Sequence, residues 1–336
     1  VLSVPADRLL RQVRALHGRI RSEVRAQLLH HSSEWLAQAT ESAQGDTQFR
    51  LDVQIEPLLL QFCKQWAEET PFILVAEGIS EDGWLTLPEG CGEAEAQFVM
   101  VVDPIDGTRM IMYDKRSAWC LTGIAPNRGR QTTLADIEIA VQTELPTTRQ
   151  HLADTLWAVR GQGAFGDRQN LLDGSTTSFR PQPSSANDLR YGFASIANFF
   201  PDGKAWLAAL EENLYREIGS MDIGGNPLVF ADQYLSTGGQ LYELTVGHDR
   251  FVADLRPVAF RQLGCADMPL CAHPYDICTE LIAREAGAIV TDERGQPLQT
   301  PLDIREPVAW IGYANPTLRD LMEPVLQRLL WGATPP

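Results

Sequence analysis

Apolar residues recur at helical spacing near the start of the chain, at Leu9, Val13, Leu16, Ile20, Val24 and Leu28, then at Trp35 and Leu36. Arginine, glutamine and glutamate occupy the other side, so the pattern predicts an amphipathic helix over residues 6–42, broken near His31-Ser32-Ser33. A second helical period runs over residues 51–69 through Leu51, Ile55, Leu58, Leu59, Phe62 and Trp66. Pro57 falls in its first turns, where proline is best tolerated. Short runs rich in β-branched and aromatic residues follow at Phe72–Ala76, Phe98–Val102, Ala118–Ala125, Ile137–Val141 and Thr155–Val159, and predict strands. Arg160 to Phe165 reads as a turn between two strands.

Polar Ser/Thr/Pro/Gln/Asn composition over residues 173–188 marks a linker. Beyond it the pattern alternates: strand 190–195, helices 204–217 and 227–237, strand 250–255, helix 275–286, strands 288–291 and 307–312, helix 316–330. Asn226-Pro227 and Asn315-Pro316 each offer an N-cap followed by proline at the first helical position. The expected organisation is an α+β domain over 1–185, with helices on a mostly antiparallel sheet, and an α/β domain over 186–336.

Composition leaves that picture intact and adds charge. The chain has 336 residues, 44% of them apolar, enough to bury a core without a disulfide or metal staple. Its 28 Lys+Arg against 44 Asp+Glu give a net charge of −16, which argues against coating a nucleic-acid polymer. The same charge repels a small phosphate unless something in the site reverses the local sign. The six cysteines form no C-x-x-C pair, and the spacing of Cys265, Cys271, His273 and Cys278 matches no zinc knuckle. No apolar run reaches the length of a membrane span, and the arginine-rich start lacks a secretory h-region. The expectation is a soluble, cytoplasmic protein with reduced thiols and no membrane partner.

The chemistry concentrates in Asp103-Pro104-Ile105-Asp106-Gly107-Thr108, where an apolar strand delivers two carboxylates at i and i+3 into a turn. Gly107 lets the backbone approach a ligand, and N–H groups near Gly107 and Thr108 would face an anion if a helix opens there. Paired carboxylates beside anion-binding donors suit Mg²⁺ and a phosphate. Read alone, D-P-x-D-G is equally a solvated turn. Glu77 at a strand end, Asp276 at a helix start and Asp52 four residues before Glu56 each have an ordinary reading too, as a solvated acid or a first-turn acid.

Taken together, these segments resemble the inositol monophosphatase superfamily of Mg²⁺-dependent, lithium-sensitive phosphatases. DPIDGT at 103–108 resembles the first signature, and Tyr275-Asp276-Ile277 with Arg284 to Asp292 resembles the second. Ala158 to Phe165 resembles the family's glycine-rich hairpin, Asp52-x-x-x-Glu56 its acidic helix, and Gly219-Ser220 its interdomain Gly-Ser. The resemblance implies a sugar-phosphatase fold, an α-β-α-β-α sandwich. It implies two or three Mg²⁺ ions per site, with Glu77, Asp103 and the Ile105 carbonyl on the first and Asp103, Asp106 and Asp276 on the second. Thr108 would orient the attacking water, Glu77 would be its base, and Asp52 would polarise the threonine hydroxyl. Backbone N–H groups of Gly107 and Thr108 would bind phosphate. The implied partner is a small phosphorylated metabolite, of inositol or sugar phosphate type, and a homodimer is compatible with it.

The chain departs from that pattern in places. Ala76-Glu77-Gly78 stands where the family has Gly-Glu-Glu, and Tyr275 where it has tryptophan. The sugar-binding glutamate of inositol-selective members corresponds to Pro269. Glu243, Arg116 and His248 are further pocket candidates on chemistry alone, each also readable as a solvated surface residue. The alternatives are an inactive relative that binds a phosphorylated metabolite as a regulator, and a 3′-phosphonucleotide phosphatase. A haloacid-dehalogenase-type reading requires D-x-D, whereas here two residues separate the aspartates.

Overall fold

In the computed structural model, residues 2–40, 48–222, 224–265 and 270–332 are described. The expected first helix is α1 (Ala6–His30), and its break is real: Ser32 caps a separate one-turn α2 (Ser33–Leu36) by accepting from the Trp35 N–H. A two-residue ladder of β1 (Ala39–Thr40) and β2 (Gln48–Phe49) leads into α3 (Arg50–Ala67). Next come β3 (Phe72–Val75), β4 (Trp84–Leu87), β5 (Phe98–Asp106), the single turn α4 (Thr108–Ile111) and β6 (Ala118–Pro126). β7 (Ile139–Leu145), β8 (Leu152–Val159), β9 (Ala164–Asn170) and β10 (Thr176–Phe179) complete an eight-stranded sheet in the order β10-β9-β8-β7-β6-β5-β3-β4. Every pairing is antiparallel except β3 with β5.

The second half contributes β11 (Gly192–Ile196), α5 (Lys204–Glu217), β12 (Val229–Phe230), α6 (Thr237–Thr245), β13 (Asp249–Asp254) and α7 (Arg256–Gln262). It continues with α8 (Pro274–Ile277), α9 (Glu280–Ala286), β14 (Ile289–Thr291), β15 (Trp310–Tyr313) and α10 (Pro316–Trp331). Its five strands run β12-β11-β13-β15-β14, parallel from β12 to β13 and antiparallel beyond.

Strand alternation explains the layering. On β5, Phe98, Met100 and Val102 point to the face covered by α1 and α3, with Leu16, Ile20 and Leu59 in the same core. Val99 and Val101 point the other way, into a second core shared with α6, α8, α9 and the five-stranded sheet. α5 and α10 pack together over the outer side of that sheet, giving α-β-α-β-α layers. No helix among the described residues is long and apolar enough to cross a membrane.

Four expectations need correction. Of the expected helix 227–237, residues 227–236 form none: Phe230 pairs with Phe193 as edge strand β12, and the helix begins only at Thr237, after Ser236, whose side chain accepts from the Gly239 N–H. Asn226-Pro227 is therefore not a cap, whereas Asn315-Pro316 is, with Asn315 accepting from Leu318. Helix 275–286 divides into α8 and α9 at Cys278 and Thr279. The polar 173–188 segment includes strand β10, which adds an edge to the first sheet by pairing with β9.

Candidate active site

β5 ends in the cleft between the two halves. Its last turns put Asp103 and Asp106 on one side, and α8 brings Asp276 to meet them, so that one oxygen from each lies within 4.8 Å of the others. Each carboxylate is held by a hydrogen bond. Asp103 Oδ1 accepts from the Ile105 N–H (2.9 Å), and Asp276 Oδ2 accepts from the His273 N–H (2.6 Å). Asp106 Oδ2 accepts from the Ser236 hydroxyl (2.7 Å) and the Gly238 N–H (2.5 Å).

That arrangement is electrostatically costly without a cation. Burial, then the charges of Asp106 and Asp276, hold the Asp103 carboxyl well above the ordinary range. Burial and Asp276 push Asp106 up to about 7, although the Ser236 and Gly238 bonds pull it back. Glu77, just past β3, lines the same cleft, and its charge also raises Asp103. The Tyr275 hydroxyl lies 3.4 Å from Glu77 Oε2 and 3.3 Å from His273 Nδ1, with the Tyr275 and His273 rings stacked.

Gly107 makes the turn possible. Its φ of +97° is one that L side chains rarely adopt, and a Cβ there would sit 3.0 Å from the Ser236 Cβ. Thr108 then opens α4, and among the described residues neither the Gly107 nor the Thr108 N–H donates a hydrogen bond. The Thr108 hydroxyl lies 2.8 Å from Asp52 Oδ1 and 2.9 Å from the Ile105 carbonyl. It has one hydrogen, and the anionic carboxylate is the stronger acceptor, which leaves the carbonyl available to another partner. Asp52 is itself fixed at the start of α3, where Oδ2 accepts from the Phe49 N–H (3.0 Å).

The cleft therefore brings together Asp52, Glu77, Asp103, Ile105, Asp106, Gly107, Thr108 and Asp276. Glu56 is there as well. Its carboxylate accepts from Gln48 and lies over Gly78 so closely that a Cβ at position 78 would collide with it. The space a second glutamate would need is filled from α3.

Other candidates go elsewhere. Gly219 and Ser220 terminate α5, with the Ser220 N–H donating to the Tyr215 carbonyl, and Ser220 lines a separate hollow of about 440 Å³ beside Glu211 and Asp222. The segment that reaches Asp106 is Ser236 to Gly238, which the sequence reading missed. Its signal was the Ser-Thr-Gly-Gly run, a helix cap followed by two small residues. Arg116, Glu243 and His248 form an ionic cluster outside the cleft, in which Arg116 and Glu243 are half-buried and His248 is exposed, as a solvated residue would be. Arg116 bonds Asp232 (2.6 Å) and Glu243 (2.7 Å) and stacks on Tyr234, and His248 pairs with Glu243. Burial acts to raise Glu243, but the His248 hydrogen bond and the Arg116 charge outweigh it and hold its carboxyl below the usual range. Pro269 lies outside the described residues.

No protein-family model matches the chain, and no curated protein sequence matches it. Solved structures do. Fructose-1,6-bisphosphatase of Leishmania major superposes with a TM-score of 0.67 at 13% identity, covering 94% of this chain and 92% of that one. SuhB, an extragenic suppressor protein of Bartonella henselae, gives 0.62 at 16% identity, covering 97% and 99%. An IMPase of Thermotoga maritima gives 0.59 at 14% identity, covering 96% of each chain. The chain has the layered fold that these proteins share.

Proposed function

We propose that this chain, built on the fold of inositol monophosphatases and fructose-1,6-bisphosphatases, is a Mg²⁺-dependent phosphomonoesterase acting on a small phosphorylated metabolite. The supporting observation is the convergence of Asp103, Asp106 and Asp276 within 4.8 Å, at the end of a strand and beside two backbone N–H groups that donate no hydrogen bond among the described residues. The donor set fits the ion: three hard carboxylates, each fixed by a hydrogen bond and each bringing an oxygen within 4.8 Å of the others. When bound, Mg²⁺ acidifies the attacking water and neutralises charge on the leaving oxygen.

The chain's own residues do the positioning. Asp103, Asp106 and Asp276 would hold the ions, and Glu77 and the Ile105 carbonyl would complete a set for two or three. Asp52 takes the Thr108 hydroxyl hydrogen, so the threonine oxygen presents its lone pairs to the water. Glu77 accepts the water's proton. The Gly107 and Thr108 N–H groups donate to phosphate oxygens, fixing phosphorus in line with the water. Lithium inhibition, a cytoplasmic location and a homodimer belong to the same proposal.

The test is phosphate release from a panel of phosphorylated metabolites at saturating Mg²⁺. We expect turnover by the wild type and a loss of at least about 100-fold in Asp106→Asn, with weaker Mg²⁺ binding and an unchanged circular dichroism spectrum. No turnover anywhere in the panel would sink the enzyme reading and favour a metabolite-binding regulator.

A further inference from the structure

The cleft has two unlike walls. On the α3 side stand Asp52, Glu56 and Glu77. On the other stand Phe199, Phe200, Leu235, Leu270 and Cys271, continuous with the segments that carry Ser236 and Asp276. We propose that Phe199 and Phe200, backed by Arg256, form a leaving-group subsite that selects phosphomonoesters whose alcohol carries a flat, uncharged, apolar face. The proposal rests on the phosphatase reading for its reaction, but not for its binding site.

The two rings form a rigid shelf. They meet edge to face, with centroids 4.9 Å apart at 84°. The Arg256 guanidinium lies 4.6 Å from the Phe199 centroid and 5.4 Å from that of Phe200. Arg256 is itself pinned: Nε donates to Asp254 Oδ1 (2.8 Å), Nη2 to Asp254 Oδ2 (2.5 Å) and Nη1 to the Leu270 carbonyl (2.7 Å). Asp254 and Arg256 are buried, while both phenylalanines are half-exposed in the cleft.

The chemistry of that shelf excludes as well as selects. Its cation is already neutralised in a two-bond contact with Asp254, so a second phosphate on the substrate gains no free positive charge there. Both Asp254 oxygens are engaged by Arg256, so the carboxylate is closed to polyol hydroxyls. On the shelf itself a hydroxyl-rich leaving group would lose water against phenylalanine rings, which offer no strong hydrogen-bond acceptor in return. A planar apolar group would bury its face on the rings instead.

Benzyl phosphate and glycerol 2-phosphate both release an alkyl alcohol of similar basicity, so comparing them separates the shelf from leaving-group reactivity. We expect the wild type at saturating Mg²⁺ to favour benzyl phosphate in kcat/KM by about tenfold or more. Phe199→Leu and Phe200→Leu, which keep bulk but lose the flat face, should each reduce that ratio by about five- to tenfold, the size of one ring contact. Phe199→Tyr should keep the ratio within about twofold. A wild type that prefers glycerol 2-phosphate or fructose 1,6-bisphosphate, or leucine variants with an unchanged ratio, would overturn the proposal. Calorimetric binding of benzylphosphonate in Mg²⁺ supplies a readout independent of turnover, and the leucine variants should weaken it by the same factor. If nothing is hydrolysed, the phosphatase reading fails and this binding alone decides the shelf. Absent binding, or equal affinity in all variants, would overturn it.

Discussion

The Thr108 hydroxyl has one hydrogen and two acceptors within reach, Asp52 Oδ1 and the Ile105 carbonyl, and the direction it takes sets which way its lone pairs face. Neither Thr108 nor Asp52 is among the three converging aspartates, so their role in the proposed reaction separates from ion binding. Thr108→Val and Asp52→Asn should each lower kcat by about 100-fold, the scale of a lost proton-transfer or positioning contact, while Mg²⁺ affinity by calorimetry stays within about twofold. Loss of Mg²⁺ binding in either variant would make the pair a structural prop of the ion site instead. The aspartates behave differently. Their charges repel in a buried space, so the metal-free fold is held together against them. In Asp106→Asn the amide oxygen still accepts from Ser236 and Gly238, and its NH₂ turns toward the remaining carboxylates. In EDTA that variant should melt a few degrees above the wild type, and in Mg²⁺ the order should reverse.

At the scale of elements, α1 covers the first sheet with a mostly apolar face that carries one exception. His17 is fully buried, its Nδ1 3.0 Å from the Thr143 hydroxyl and its Nε2 2.8 Å from that of Thr122. Burial, helped by the Arg21 charge, brings its pKa down to about 3. The unfolded chain binds that proton below about pH 6.5 and the fold does not, so nothing is lost above 6.5 and stability drains as pH falls from there toward 3. By pH 4.5 the loss from this one group reaches roughly 3 kcal/mol. His17→Phe forfeits two hydrogen bonds, about 1–3 kcal/mol at pH 7. It should then lose less on acidification, so urea melts at pH 7 and 4.5 should show the gap to wild type narrowing. Parallel losses would mean that His17 takes up its proton within the fold. The helical period of α1 was readable because one face repeats over 25 residues. Residues 227–237 were not, because β12 is two residues long and acquires its strand character only from pairing with β11.

Across the whole molecule, the part of the site that is contiguous in sequence was readable by itself, the scattered acids were readable only through the resemblance, and the contacts made by folding were not. DPIDGT displays its carboxylates, turn and hydroxyl within six residues, and Asp52, Glu77 and Asp276 stand at element ends where acids are ordinary but conspicuous. Ser236 and Gly238 reach Asp106 only because α6 crosses over the end of β5, a relation that no local pattern encodes. Gly219-Ser220 had the matching letters and belongs to a helix terminus. The net charge of −16 gains meaning at this scale, since three of its acids converge on one point of the cleft where the proposed ions would reverse the local sign. The seam between the halves is tight there. Gln142 on β7 donates to the Gly238 carbonyl (2.6 Å) and accepts from the Thr279 hydroxyl (3.2 Å). A Cβ on Gly238 would sit 2.6 Å from Leu121 Cδ2 and 2.9 Å from Asp106 Oδ2. Gly238→Ala inside a helix would ordinarily gain about 1 kcal/mol from propensity. Here the added methyl must displace either a core leucine or the carboxylate, and overpacking costs about 1–3 kcal/mol. The expected net effect on the melting temperature is small, whereas Mg²⁺ affinity should fall by about tenfold or more because Asp106 is what gives way. Calorimetric titration of Mg²⁺ beside a thermal melt separates the two terms, and a stabilised variant with unchanged Mg²⁺ affinity would show that the seam has room to spare.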